Sequence, residues 1–238
     1  GLTVVKEIFK QLPQYQIIYF GDTARLTYGT KGADFVLKYS TKISQWLLNR
    51  GAKVIVVACH TSSAWAADGL KKKFKNIPIF EMITPLANEI LAEKQNKKIA
   101  VLGTPGTIKS NAWQKKLSSP FLKIYSQVCP LFVPLVEEGW IEEKITEEIA
   151  EKYLKPLKEK GIDSLILACT HYPLLEKVIK KTMGRGVKII NPAKSLAKEL
   201  KSFLKENPKV EKQIKKGSSH QFFFSDEPYN LEKISRLC

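Results

Sequence analysis

Short apolar runs rich in valine and isoleucine alternate along the chain with longer segments in which apolar residues recur at helical spacing. The apolar runs predict strands over residues 17–20, 54–58, 77–80, 99–102, 124–128, 165–168, 187–190 and 222–225. The longer segments predict helices over 34–50, 64–74, 85–94, 110–117, 142–159 and 193–205, and one more beginning at Pro173. This alternation is typical of an α/β protein with mostly parallel sheets covered by helices.

Length and composition favour a folded protein. The 238 residues, 44% of them hydrophobic, can form a large core in one α/β domain or two smaller ones. Because no apolar run reaches about 18 residues, we predict no membrane span. The first residues also lack the layout of a secretory signal, so we expect a cytoplasmic protein.

The chain carries a formal net charge of +16, which raises the possibility of a nucleic-acid partner. The lysines are spread over the ends and outer faces of predicted helices, so solvated helix faces are the better interpretation and we expect no nucleic-acid partner. The four cysteines show no C-x-x-C spacing, which favours free thiols over disulfides and gives no metal site.

One local design occurs twice in the sequence. Residues 54–61, which we call the first junction, and residues 165–171, the second junction, each consist of a predicted buried strand followed by Ala-Cys and then by a Thr and a His. Cys59 and Cys169 should therefore lie at the carboxyl ends of parallel strands, where open α/β sheets bind ligands. We expect a following helix, capped at the first junction by Ser62, to lower the pKa of each thiol.

Two matched thiols suit a reaction that inverts a stereocentre. Proton transfer then needs a base on one face of the carbon and an acid on the other, and the roles exchange for the mirror-image substrate. The two junctions therefore predict two half-sites formed by two similar lobes.

Four stretches of the sequence resemble glutamate racemases of the aspartate/glutamate racemase superfamily. Residues 58–64 read Ala-Cys-His-Thr-Ser-Ser-Ala, and residues 169–175 read Cys-Thr-His-Tyr-Pro-Leu-Leu; residues 21–25 and 129–139 are also similar to the family. The resemblance covers almost the whole chain. It implies interconversion of L- and D-glutamate without pyridoxal phosphate, metal or another cofactor, which supplies D-glutamate for peptidoglycan. It also implies a small-molecule substrate and a homodimer.

The resemblance assigns roles to particular residues. Cys59 and Cys169 would be the acid/base thiols, and His171 would assist Cys169 with Glu137 as its partner. The residues that would contact the substrate are Thr27, Tyr28, Gly29, His60, Thr61 and Thr170.

The family fold implies two α/β domains related by a pseudo-twofold axis, with the active site between them. Residues 1–84 and 191–238 would form the first domain, and residues 85–190 the second. The family opens with a strand and the motif Asp-Ser-Gly-Val-Gly-Gly-Leu-Thr-Val, of which residues 1–4 match the end, so we expect a strand and loop before Gly1. His60 replaces the usual Asn, and we expect its imidazole to change substrate preference or pH dependence. Thr27 replaces the usual Pro, which relaxes the loop but keeps Tyr28 and Gly29.

Three alternatives stay open at this point. The same two thiols could racemise aspartate or another amino acid. A Cys-His hydrolase or amidotransferase would use Cys169 as nucleophile and His171 as base. A nucleic-acid-binding protein is a more distant alternative, because the sequence contains no base-stacking motif.

Overall fold

A computed structural model of the chain describes residues 1–227. The free-thiol prediction for Cys238 lies outside these residues. The described strands are β1 (Ile18–Gly21), β2 (Ile55–Val57), β3 (Ile79–Glu81), β4 (Lys97–Gly103), β5 (Leu122–Val128), β6 (Ser164–Ala168), β7 (Lys188–Ile190) and β8 (Gln221–Phe224).

The helices surround these strands. They are α1 (Leu2–Gln11), α2 (Ala33–Asn49), α3 (His60–Lys73), α4 (Thr84–Ala92), α5 (Pro105–Lys109), α6 (Ala112–Lys116), α7 (Phe132–Glu137), α8 (Lys144–Glu159), α9 (Glu176–Met183), α10 (Pro192–Glu206) and α11 (Pro208–Glu211). Short 3-10 turns cover Thr23–Arg25, Tyr28–Thr30 and Tyr172–Leu175. Within residues 1–227 no helix is both long and apolar enough to cross a membrane.

All pairings between these strands are parallel, which confirms the α/β class with parallel sheets. Four strands form a sheet in the order β5-β4-β6-β7, and β1 pairs with β8 while β2 pairs with β3. The pairings among described residues stay within the two sequence stretches predicted as domains. The division into two domains itself stays a prediction.

The central strands β4 and β6 are covered on both faces, which explains their continuous apolar sequences. Ala100 and Leu102 pack into one buried cluster with α7, α8 and α9, whereas Ile99 and Val101 pack into another with α4 and α6. Successive strand residues point to opposite faces, so each strand contributes to both layers. Burying one such aliphatic side chain fully stabilises the fold by about 1.5–3 kcal/mol.

The remaining strands have their own cores. Leu196 and Leu200 of α10 join Val4 and Ile8 of α1 in a cluster that contains Phe80 of β3. On the other side, α2 and α3 pack together over β2 and β3. These helices position the residues that follow β1 and β2.

Several helix predictions need correction. The helix predicted over 110–117 is shorter and corresponds to α6, because Asn111, whose φ of 55° is left-handed, separates it from α5, which was not predicted. The helix predicted from residue 64 begins at His60, directly after Cys59, so Ser62 lies inside α3 and is not its cap. The helix predicted from Pro173 begins as a 3-10 turn, with α9 following it. Helix α7 was not predicted because Pro134 obscures its six-residue pattern.

Candidate active site

The two repeated junctions open onto one cavity. Its volume is about 480 Å³, and both Cys59 and Cys169 line it. Each cysteine follows the carboxyl end of a buried parallel strand, β2 for Cys59 and β6 for Cys169. The other sequence-predicted site residues line the same cavity: Thr27, Tyr28, Gly29, His60, Thr61, Glu137, Thr170 and His171.

Cys59 is half-buried and occupies the N-cap position of α3. Ser63 fixes this junction, because its hydroxyl donates to the carbonyl of Cys59 at 2.9 Å and accepts from the backbone N–H of Met82 at 3.1 Å. Sequence reasoning missed Ser63. A serine four residues after Cys59, inside a helix that begins at His60, is the signal that could have identified it.

His60 is buried at the first position of α3, with 2% of its surface exposed. Its ring stacks on Trp113 of α6 at 6.1 Å between centroids, and no hydrogen-bond partner meets its buried Nδ1. Burial lowers the pKa of His60 to about 3. The imidazole is therefore neutral, and it packs α3 against α6.

The hydroxyl of Thr61 belongs to a buried cluster of three threonines. Its Oγ1 lies 3.0 Å from Oγ1 of Thr104 and 2.9 Å from Oγ1 of Thr107, and those two atoms are 3.0 Å apart. The cluster joins the first turn of α3 to the start of α5. Sequence reasoning did not identify Thr104 or Thr107.

Gly29 packs directly against this cluster. A Cβ atom at Gly29 would lie 2.4 Å from Cβ of Thr104, far inside any real contact. A Cβ atom at Gly106 would likewise lie 3.0 Å from the carbonyl oxygen of Gly29. The 3-10 turn Tyr28–Thr30 thus approaches α5 as closely as two backbones permit.

Cys169 lies at the start of a chain of polar contacts. Its Sγ lies 3.6 Å from Nδ1 of His171, and Nε2 of His171 lies 2.6 Å from Oε1 of Glu137. A proton on Nε2 is donated to the carboxylate, which leaves the Nδ1 lone pair facing the thiol. Such a lone pair can accept the thiol proton, as the family resemblance implied for His171.

The thiol of Cys169 differs from the sequence expectation. Burial raises its pKa to about 12, with a smaller lowering by a backbone hydrogen bond at His171. The expected lowering by an adjacent helix is wrong for Cys169, because a 3-10 turn and not an α-helix follows it and its side chain is buried. A negative charge on Cys59 raises this pKa further, so the two thiols interact electrostatically.

Thr170 and Thr27 are half-buried at the cavity wall. The carbonyl of Thr170 accepts a 2.8 Å hydrogen bond from the hydroxyl of Thr3 on α1. The carbonyl of Thr27 accepts from the hydroxyl of Thr30 at 3.0 Å. Over residues 1–227 we find no grouping of three His, Cys, Asp or Glu side chains that could bind a metal ion.

The geometry defines a class of chemistry. Two thiols on one cavity can act as proton donor and proton acceptor, and a His–Glu pair supports one of them. Residues 5–200 match the family model described as Asp/Glu/Hydantoin racemase, and the chain belongs to this family. It is thus an isomerase, an amino-acid racemase acting on a small molecule.

Individual relatives show which racemases of this family the chain is similar to. The chain is 44% identical to a glutamate racemase of Aquifex pyrophilus over 237 residues, which cover 100% of this chain and 89% of the relative. A solved glutamate racemase of Bacillus anthracis is 34% identical with a TM-score of 0.89, covering 100% of this chain and 88% of that one. A glutamate racemase of Francisella tularensis in complex with D-glutamate is 36% identical with a TM-score of 0.87, covering 100% and 87%.

Proposed function

We propose that this protein interconverts L- and D-glutamate without a cofactor, with Cys59 and Cys169 as the two acid/base groups. The observation that carries the proposal is that both thiols, each at the end of a parallel strand, line one cavity. Membership of a racemase family and similarity to glutamate racemases support the choice of reaction and substrate.

Each turnover moves one proton off the α-carbon and another onto it. The thiolate of one cysteine takes the α-proton, and its S–H bond forms as the C–H bond breaks. The electron pair left on carbon then takes a proton from the thiol of the other cysteine on the opposite face. The first cysteine ends as a thiol and the second as a thiolate, ready for the enantiomer.

His171 gives Cys169 a way to become a thiolate despite burial. The thiol proton passes to Nδ1 of His171, and the carboxylate of Glu137 stabilises the resulting imidazolium through Nε2. The buried thiol otherwise keeps its proton, which suits the role of acid when glutamate of the opposite hand is bound. His171 and Glu137 are therefore the supporting pair of the second thiol.

The substrate would lie among Thr27, Tyr28, Gly29, His60, Thr61 and Thr170, which share the cavity wall with the two cysteines. The hydroxyls of Thr61 and Tyr28 are already bonded to other side chains, Thr61 in the threonine cluster and Tyr28 at Asp22. We therefore infer that these two residues shape the site more than they donate hydroxyl protons to the substrate.

The wider role follows the family. We propose that the product D-glutamate supplies peptidoglycan synthesis, and that the protein works in the cytoplasm as a homodimer. These three statements rest on the family resemblance. Sedimentation of the purified chain tests the dimer directly, and a monomer at assay concentration would refute it.

Deuterium exchange at the α-carbon of each glutamate enantiomer in heavy water, together with the change in optical rotation, tests the reaction. We expect Cys59→Ser and Cys169→Ser each to lower racemisation by at least about 100-fold, because a positioned acid or base contributes that much. Cys129→Ala is the matched control, since Cys129 is a buried thiol that does not line the cavity.

Two outcomes would overturn the proposal. Near-normal turnover of Cys59→Ser would indicate a single-nucleophile enzyme in place of a two-thiol racemase. Racemisation of aspartate and not glutamate would keep the mechanism and refute the substrate.

A further inference from the structure

We infer that Asp22 is a positioning residue, which holds Tyr28 and Gly29 against the substrate cavity through simultaneous bonds to Tyr28 and Arg25. This inference rests on the proposed function, because it concerns the same cavity. Asp22 follows β1 directly, and its side chain is 6% exposed.

Both oxygens of the Asp22 carboxylate are used. Oδ2 accepts a 2.5 Å hydrogen bond from the hydroxyl of Tyr28, and Oδ1 accepts a 2.6 Å bond from a guanidinium nitrogen of Arg25. Bonds to an ionised acceptor are roughly twice as strong as neutral ones. One buried carboxylate thus ties together the two 3-10 turns that lie between β1 and α2.

The contact continues through α2 and returns to Tyr28. The guanidinium of Arg25 lies 4.2 Å from the ring centroid of Tyr39, which in turn lies 4.5 Å from the ring of Phe35. The ring of Phe35 is 6.2 Å from that of Tyr28, in edge geometry. Five side chains therefore form a closed circuit, in which Asp22 is the one acid.

The circuit holds a segment that has little other regular structure. On its opposite side, Gly29 is pressed against Thr104 with no room for a side chain. Tyr28 and Gly29 are thus fixed between Asp22 on one side and α5 on the other. A shift of this segment would change the shape of the cavity wall.

Tyr28 itself takes no part in proton transfer under this inference. Burial raises the pKa of Tyr28 well above its usual value, and the bond to Asp22 raises it further. The phenol stays protonated and its proton points to Asp22. A negative charge on Cys59 acts in the same direction.

The variant Asp22→Asn tests the two simultaneous bonds that Asp22 makes to Tyr28 and Arg25. A carboxamide accepts hydrogen bonds at its oxygen alone, so its NH₂ group would face either Arg25, which can only donate, or Tyr28, whose hydroxyl would then have to accept. In either orientation the side chain is neutral, so neither bond has an ionised acceptor any longer. We expect KM for both glutamate enantiomers to rise about tenfold or more, with a smaller change in kcat, because binding geometry and not the thiols is altered.

Glu7→Gln is the matched control. Glu7 and Lys10 form another acid-first i,i+3 pair at 2.7 Å, the Glu7 side chain is 10% exposed, and neither residue lines the cavity. This variant should leave KM unchanged. A double-mutant cycle adds Tyr28→Phe and the double variant Asp22→Asn/Tyr28→Phe. The double variant should raise KM no more than Asp22→Asn alone.

Ring-labelled tyrosine NMR supplies a readout that does not depend on turnover. The Tyr28 signal, assigned by its loss in Tyr28→Phe, should shift in Asp22→Asn and stay in place in Glu7→Gln. An unchanged KM, additive effects in the cycle, or an unmoved Tyr28 signal would each overturn the inference. If the unaltered chain racemises no glutamate, the proposed function fails, and the NMR comparison still decides whether Asp22 holds Tyr28.

Discussion

The two cysteine junctions begin from the same sequence design and end in different surroundings. Cys59 is half-buried at the N-cap of the 14-residue helix α3. The two residues after it, His60 and Thr61, are buried. Cys169 is buried before a 3-10 turn, and His171 reaches back to its sulfur. The polar residues of the first junction therefore pack inside the protein, whereas the histidine of the second junction contacts the thiol.

This difference shows that a repeated motif need not give two equivalent half-sites. The histidine of the first junction comes one residue after the cysteine and is stacked on Trp113, while that of the second comes two residues after and lies against Glu137. A one-residue offset rotates the side chain by about 100° in an α-helix and by about 120° in a 3-10 turn. The offset therefore decides whether the imidazole meets the core or the thiol.

The largest expected effect comes from breaking the support of the second thiol. We expect His171→Asn to lower kcat/KM for glutamate about 100-fold and Glu137→Gln about tenfold, because the thiol of Cys169 then loses the group that accepts its proton. The loss must be equal in both directions, since the two enantiomers have the same free energy in solution. Progress curves from each enantiomer measure it.

Isotope effects show which side of the site is affected. When proton transfer at Cys169 is slowed, the α-deuterated enantiomer whose α-hydrogen Cys169 removes should show a larger isotope effect on kcat/KM. The other enantiomer should show a smaller one. Glu138→Gln is the control, because Glu138 is an exposed neighbouring carboxylate that does not line the cavity. Equal isotope effects from both hands would mean that His171 does not serve Cys169 specifically.

The second prediction concerns the tight wall beside the first junction. Gly29→Ala places a Cβ atom 2.4 Å from Cβ of Thr104, so the turn or α5 must move. We expect the free energy of unfolding to fall by about 1–3 kcal/mol, the usual cost of overpacking, and KM for glutamate to rise. Urea unfolding and initial rates measure the two effects.

Gly186→Ala is the comparison for this variant. A Cβ atom at Gly186 would meet nothing within 4 Å, so its stability should stay the same or rise slightly. Equal stabilities of the Gly29 and Gly186 variants would mean that the approach of Gly29 to α5 is unimportant.

The sequence predicted the strands and the two cysteine positions because buried parallel strands have continuous apolar runs and the residues after them fall at one sheet edge. It did not predict Thr104 or Thr107, since their partner Thr61 comes from another element. It missed Ser63 because the helix was predicted to begin at residue 64, after this serine. The burial of Cys169 was also hidden. Its high pKa depends on the packing around β6, which a one-dimensional pattern does not contain.

The third prediction uses the buried imidazole of the first junction. The pKa of His60 falls from 6.5 to about 3 on folding, so below pH 6.5 the unfolded chain binds a proton that the folded chain does not. This difference leaves the free energy of unfolding unchanged above pH 6.5 and lowers it progressively as the pH falls from 6.5 toward 3. Between pH 8 and pH 5.5 we expect the unaltered protein to lose about 1.4 kcal/mol that His60→Asn does not lose. Parallel stability curves for the two proteins in urea would contradict a neutral, buried His60.

The smallest expected effect separates the structural threonine of the first junction from its chemistry. Thr61→Val keeps the shape of the side chain and removes one of three clustered hydroxyls, while Thr104 and Thr107 remain 3.0 Å apart and can still bond to each other. The free energy of unfolding should therefore fall by about 1 kcal/mol, the usual net value of a hydrogen bond. If the hydroxyl of Thr61 only joins α3 to α5, kcat should change less than twofold. A 100-fold loss of kcat with the same small loss of stability would instead show that this hydroxyl acts on the reacting substrate, and the first junction would then resemble the second in function as well as in sequence.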